Sequence, residues 1–166
     1  MKVILTNNNM VALMGGAIAT MVDENQINMF RNKLTRKEFK KERKMYMEML
    51  NSMDEKVVII HNALKDKMSR RELEAVVAHE EGHVVCGHFN NIEDKEVIEI
   101  NGSKILDNIQ YELEADAYAV SKTSKTAVRN GLRKAIMFAL ESQGHGHLYS
   151  DVRRSDEMRE RFNALK

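Results

Sequence analysis

The chain has 166 residues, 43% of them hydrophobic and 31% charged, and its 26 basic side chains nearly cancel its 25 acidic ones to give a net charge of +1. This length predicts one domain, residues 1–166, with one sizeable core, and the balanced charge excludes a global field that would attract nucleic acid or an anionic membrane. The single cysteine, Cys86, excludes an internal disulfide. We expect Cys86 to be a buried thiol in a reducing, cytoplasmic protein.

The N-terminal part is predicted to be mainly helical after a short strand at residues 3–6. Residues 10–22 form the longest run without charged or amide side chains, but these 13 residues are too few for a membrane-spanning helix, which needs about 20. The residues before this run lack the charge pattern of a signal peptide, and we expect no transmembrane segment. The favoured interpretation is a core helix, or a strand plus a helix, with a bend at Gly15 and Gly16.

Residues 23–51 are predicted to form one or two charged helices with an apolar side. That side comprises Ile27, Phe30, Leu34, Met45 and Met49. A basic run at residues 36–44 lies within this segment, and its interleaved glutamates favour a solvated helix face. The alternative is a contact with nucleic acid or with a protein partner. We expect no nucleic-acid binding.

Residues 56–60 are the best strand candidate, because four of the five are valine or isoleucine. We place this strand at the edge of a small sheet, where an extended chain could add as a further strand. Residues 69–72 match a capping box, so a helix should begin just after Ser69. Leucine and valine side chains make that helix apolar around much of its circumference, which predicts that it is buried.

Residues 79–83 read His-Glu-Glu-Gly-His, which is the H-E-x-x-H pattern. On a helix, His79 and His83 lie one turn apart on one face, so both imidazoles can bind one metal ion. Glu80 lies beside them, where its carboxylate can reach a water on that metal. This free base favours zinc over non-haem iron. The alternative is a buried helix whose two histidines only satisfy hydrogen bonds.

A third ligand is expected in residues 109–119, an alanine-rich stretch that should be helical. Glu112 and Asp116 are four residues apart and therefore share a helix face. Glu112 can ligate a metal while Asp116 accepts the free N–H of a ligating histidine. Glu114 points away from this face and is predicted to be a solvated or structural carboxylate. The alternative for the pair is an ordinary charged helix face.

Three further segments complete the chain. Residues 90–108 contain an Asn-Gly turn and predict either a wall of a cleft or a plain surface hairpin. Residues 126–141 carry a stripe of apolar side chains at helical spacing, which predicts a core helix; the stripe is Val128, Leu132, Ile136 and Leu140. Ser155 can cap a last helix, whose inward side chains are Met158, Phe162 and Leu165.

Together these motifs resemble the gluzincin zinc peptidases, in particular the HtpX and CAAX prenyl protease type. The resemblance includes the strand at residues 57–64, the capped entry to H-E-x-x-H, the Gly87-His88 pair and the E-x-x-A-D of residues 112–116. It covers residues 56–120 well and residues 145–166 poorly. A small soluble member, of the minigluzincin kind, is more similar than the membrane enzymes. The ImmA/IrrE-type metallopeptidases are a related alternative.

The resemblance implies an α+β fold. It would be a mainly helical, zincin-like single domain with a small sheet whose edge strand borders the zinc cleft. Residues 1–55 would form an N-terminal helical part, residues 56–120 the strand and the metal-binding helices, and residues 121–166 a C-terminal helical part.

The resemblance also implies the roles of the site residues. Zn²⁺ would bind His79, His83 and Glu112, with Glu80 as the general base and acid. Asp116 would be the partner of His79. The family's His-Pro before the C-terminal segment is absent from this proline-free chain. His147 is the nearest substitute for a histidine that steadies the oxyanion; the simpler interpretation is a flexible loop with exposed histidines.

The implied activity is hydrolysis of peptide bonds in a peptide or protein substrate by a zinc-activated water. Three alternatives stay open. Residues 10–22 could dock in the cleft and keep the enzyme latent. An inactive peptidase fold could act as a binding module. A small helical protein could contact nucleic acid through residues 36–44.

Overall fold

The computed structural model describes residues 1–13, 15–31, 34–88, 97–100, 103–106, 109–143 and 157–166. Within these ranges the strands are β1 (Lys2–Thr6), β2 (Ala17–Met21), β3 (Lys56–His61), β4 (Val97–Ile100) and β5 (Ser103–Leu106). The helices are α1 (Asn9–Leu13), α2 (Glu24–Arg31), α3 (Arg36–Leu50), α4 (Asn62–Asp66), α5 (Arg70–Val85), α6 (Ile109–Lys122) and α7 (Lys125–Gln143). Residues 157–164 are also helical. The predicted mainly helical α+β class is confirmed.

The main sheet has three strands in the order β1-β3-β2. β1 runs parallel to β3, with Ile4 opposite Ile59, and β2 runs antiparallel to it, with Ala19 opposite Val58. The prediction that β3 forms the sheet edge is therefore wrong. Its run of valine and isoleucine is buried on both faces of the sheet, as in a central strand. The edges are β1 and β2.

Residues 10–22 belong to the body of the fold. The run forms most of α1, a bend at Gly15 and Gly16, and then β2. Val11 has no exposed surface and Ala17 is 9% exposed. This arrangement confirms the core interpretation of the run, as a helix followed by a strand.

One face of the sheet packs against α2 and α3. Phe30, Met45 and Met49 from these helices join Ile4 and Ile59 in one buried cluster. α3 begins at a capping box formed by Thr35 and Glu38. The basic side chains of α3 are exposed, which agrees with the predicted solvated face.

The other face of the sheet packs against α5 and α7. The capping box of Ser69 and Glu72 is present at the start of α5, as predicted. α6 packs closely on α5 at Gly82, where a Cβ atom would lie only 2.9 Å from Cα of Ala115. A third cluster joins α5, α6 and α7 to the helix at residues 157–164.

The predicted stripe on α7 is confirmed only in part. Val128 and Leu132 are buried, but Leu140 is 42% exposed, because the stripe leaves the core near the end of the helix. β4 and β5 pair antiparallel, which both a surface hairpin and a cleft wall would allow. Its Asn-Gly turn lies outside the described residues, as do His147 and Ser155. Within the described part of the chain, none of the helices has the length and apolarity needed to cross a bilayer.

Candidate metal centre

Three predicted ligands meet where α5 packs on α6. Nε2 of His79 lies 3.1 Å from Nε2 of His83, one turn later on α5. Glu112, in the first turn of α6, lies across from both rings. Its two oxygens are 3.3 Å from Nε2 of His79 and 3.4 Å from Nε2 of His83. The three side chains are partly buried, and one donor atom from each lies within 4.8 Å of the other two.

The spacing of these donors fits zinc. Nitrogen or oxygen ligands about 2.0–2.1 Å from a tetrahedral zinc lie about 3.3–3.4 Å from each other. The two nitrogens are 3.1 Å apart, one oxygen of Glu112 lies 3.3 Å from Nε2 of His79, and its other oxygen lies 3.4 Å from Nε2 of His83. Each of these separations is close to one edge of such a tetrahedron, and one donor atom from each residue lies within 4.8 Å of the other two. Two imidazoles and one carboxylate are also a donor set that catalytic zinc uses. The residues present therefore fit a zinc ion with one coordination position left for a water or a substrate.

The three ligands differ in how they hold protons. Burial alone would lower the pKa of His79, but its contacts with the carboxylates of Asp116 and Glu112 raise it to about 9. Burial and the neighbouring His79 lower the pKa of His83 to about 4. Burial would raise the pKa of Glu112, but His79 and Arg161 hold it well below its usual value. At neutral pH, His83 is thus already neutral and Glu112 already ionised, as a metal requires, whereas His79 must lose a proton.

Glu80 lies next to the ligands and close to the sheet. Its Oε2 accepts a hydrogen bond from the backbone N–H of Ala19 in β2, at 2.8 Å. Burial raises the pKa of Glu80, and the nearby His79 partly opposes this rise. The edge strand that borders the candidate site is therefore β2, and its backbone holds the predicted general base.

Asp116 lies behind His79. Its Oδ1 is 2.9 Å from Nδ1 of His79, although the contact is bent from the straight line of a hydrogen bond. Arg161 donates two hydrogen bonds of 2.8 Å to the same carboxylate. A third guanidinium nitrogen lies 2.7 Å from Oε2 of Glu112. Arg161 is only 4% exposed, and its positive charge balances both carboxylates.

Sequence reasoning assigned no role to Arg161. A signal was present, because Met158, Arg161, Phe162 and Leu165 follow helical spacing, which places the arginine on an apolar face. An arginine there needs a buried acidic partner. The two carboxylates of α6 are those partners.

Behind His83 lies a second histidine. Nδ1 of His83 is 2.9 Å from Nδ1 of His88, and Nε2 of His88 is 3.0 Å from Oε2 of Glu114. Glu114 does point away from the ligands, as predicted, but it contacts this histidine. The prediction that Cys86 is buried is wrong, because it caps the C-terminus of α5 and is exposed.

Residues 42–101 match the sequence profile of Peptidase family M48. The match runs from the middle of α3 through H-E-x-x-H and ends before Glu112. No significant similarity to a curated protein or to a solved structure was found. The predicted resemblance is confirmed at the level of the family, while the minigluzincin subtype stays a prediction. Over residues 42–101 the chain matches Peptidase family M48, the family of the HtpX-type gluzincins, which implies a zinc metallopeptidase.

Proposed function

We propose that the protein is a zinc-dependent endopeptidase that hydrolyses peptide bonds with Glu80 as its general base. The observation that carries the proposal is the convergence of one donor atom each from His79, His83 and Glu112, within 4.8 Å of one another, with the half-buried carboxylate of Glu80 beside them. The match to Peptidase family M48 supports the same reaction class.

The chain's own groups divide the work. Zinc bound by the three ligands would supply a Lewis acid that activates a water and polarises the scissile carbonyl. Glu80 takes a proton from the attacking water and delivers it to the departing amine. Asp116 orients the ring of His79, and Arg161 balances the charge of Asp116 and Glu112. His147 keeps its predicted role as a group that steadies the oxyanion, although it lies outside the described residues.

β2 offers the binding edge for the substrate. The carbonyl of Gly16 accepts a hydrogen bond from the N–H of His61, and the N–H of Val22 donates one to the carbonyl of Glu55. At these two residues the backbone of β2 therefore bonds toward β3. Because the bonding direction alternates along an antiparallel pair, the backbones of Ala17, Ala19 and Met21 face outward. An extended peptide can add to this outward edge as a further strand. Its scissile bond would then pass beside Glu80, which the same edge contacts.

The test compares two neighbouring carboxylates on α5. We expect about one zinc per chain, as in a site of this kind, and cleavage of unfolded casein by the wild type. Glu80→Gln keeps its zinc but loses about 10²- to 10⁴-fold in rate, because the amide cannot accept the proton. Glu81→Gln, one residue later, keeps both its zinc and its rate.

Two results would overturn the proposal. Wild-type protein that takes up no zinc when supplied with it has no metal centre at this site. Casein cleavage that persists in Glu80→Gln would assign the base to another group.

A further inference from the structure

We infer that His88 and Glu114 are positioning residues that fix the tautomer and ring orientation of His83, the second metal ligand. The inference rests on the proposed zinc site and extends it. Both act through Nδ1 of His83, which lies on the far side of the ring from its donor nitrogen.

The hydrogen bonds define one consistent arrangement of protons. A neutral imidazole has one N–H and one bare nitrogen. If Nε2 of His83 binds the metal, its Nδ1 carries the proton and donates to Nδ1 of His88, 2.9 Å away. His88 must then carry its own proton on Nε2, which donates to Oε2 of Glu114 at 3.0 Å. Every donor in the chain meets an acceptor, and the chain ends on a carboxylate.

The local backbone explains why His88 reaches this position. α5 ends at Val85, and Gly87 adopts a φ of +76°, the left-handed conformation that glycine tolerates best. The N–H of His88 then bonds back to the carbonyl of His83 at 3.0 Å, and the N–H of Gly87 bonds to Val84 at 3.3 Å. These two bonds are the Schellman ending of a helix. The turn therefore folds His88 back over the residue that it contacts.

Contacts with α6 hold the ring of His88 in place. Tyr111 stacks on it, with centroids 4.3 Å apart and ring planes 28° from parallel. Only 5% of His88 is exposed. Glu114 is also held by Gln110, whose amide donates to its other oxygen at 2.9 Å. Since Glu112 lies on the same helix, α6 supplies both a ligand and the end of this chain.

Asp116 and the hydrogen-bonded pair of His88 and Glu114 have equivalent positions behind the two histidine ligands of α5. Asp116 contacts Nδ1 of His79, and His88 contacts Nδ1 of His83. Groups that hold the free nitrogen of a ligating histidine typically contribute 10- to 100-fold to metal affinity. The same magnitude is expected for His88.

A direct test reads the tautomers in the zinc-loaded, full-length protein labelled with ¹⁵N. Long-range proton–nitrogen correlation spectra distinguish the two nitrogens of each ring, and the chain has six histidines. We expect His83 to carry its proton on Nδ1 and His88 to carry its proton on Nε2. A proton on Nδ1 of His88 would overturn the inference.

Variants provide a second test by zinc competition titration. His88→Phe keeps a ring against Tyr111 but removes the acceptor, and should weaken zinc binding about 10- to 100-fold. His88→Asn places an oxygen near the position of Nδ1 and should restore most of the affinity, which a loss of packing alone would not predict. In the cobalt-substituted protein, the visible absorption spectrum should change more from the wild type in His88→Phe than in His88→Asn.

Cys86 provides the control. Among the described residues, Cys86, His88 and Glu114 could also hold a metal themselves. Cys86→Ser leaves the hydrogen-bonded chain intact and should bind zinc like the wild type. Equal losses in Cys86→Ser and His88→Phe would overturn the inference in favour of a second metal site. A wild type that binds no zinc refutes the proposed function, whereas unchanged affinity in His88→Phe refutes this inference alone.

Discussion

Replacing Gly82 with alanine tests whether the close approach of α5 and α6 sets the geometry of the metal site. A Cβ at this position would lie 2.9 Å from Cα of Ala115 and 3.2 Å from Cβ of Tyr118. Carbon atoms in contact prefer about 3.5–4.0 Å, so the helices must separate by roughly 0.6 Å or more. Glu112 lies one turn before Ala115 and moves with it. A metal site tolerates a change of only about 0.2 Å in its metal–ligand distances.

Two effects on stability oppose each other in Gly82→Ala. Overpacking a buried contact costs about 1–3 kcal/mol. Alanine gains up to about 1 kcal/mol over glycine inside a helix. We therefore expect a net loss of up to about 2 kcal/mol of unfolding free energy, together with zinc binding weakened by about tenfold or more. Urea unfolding in the presence of a chelator measures the unfolding free energy, and competition titration measures the zinc affinity.

Gly131→Ala is the matched control for this experiment. Gly131 brings α7 against α5, where a Cβ would lie 3.1 Å from the carbonyl oxygen of Glu72. That contact lies two turns before His79, so the variant should be destabilised without a loss of zinc affinity. Wild-type zinc binding in Gly82→Ala would refute the reasoning, because it would show that α6 can shift without moving Glu112.

Three further predictions concern the proton and charge balance of the site. Ala19→Pro removes the N–H that donates to Glu80, but it removes no hydrogen bond to β3. We therefore expect kcat to fall while the zinc content stays unchanged. An unchanged kcat would show that the backbone of β2 does not position Glu80. Arg161→Met leaves the buried Asp116 and the half-buried Glu112 without their cation, and should cost up to about 3–5 kcal/mol of unfolding free energy in chelator; a variant as stable as the wild type would contradict this role of Arg161. Zinc must displace a proton from His79, whose pKa is about 9. Apparent affinity should therefore rise about tenfold per pH unit up to that value, and a flat profile between pH 7 and 8 would contradict the assignment.

The parts of the site that depend on local chain geometry could be predicted from the sequence. The spacing of His79 and His83 fixes their common face once the helix exists, and the Ser69 capping box fixes where that helix begins. The helix that carries Glu112 and Asp116 could be predicted in the same way. Bringing Glu112 opposite the histidines depends on the packing at Gly82, which no local pattern specifies.

Long-range pairing explains the errors. The valines and isoleucines of β3 predict a strand, but whether it is an edge depends on β1 and β2, which lie far away in sequence. Cys86 follows the apolar run of α5, and only the left-handed turn at Gly87 explains why it ends in solvent. The role of Glu114 was missed for the same reason, because the turn places His88 within its reach.

The position of β3 in the sheet also has a consequence for folding during synthesis. β1 and β2 do not pair with each other; both pair with β3, which follows β2 by more than thirty residues. Until residues 56–61 leave the ribosome, two apolar strands have no native neighbour, and unpaired strand edges promote aggregation. α2 and α3 can form by local contacts in this interval. We expect the nascent chain to be most dependent on chaperones just before β3 emerges, and the metal-binding helix to dock on the sheet only after the sheet has closed.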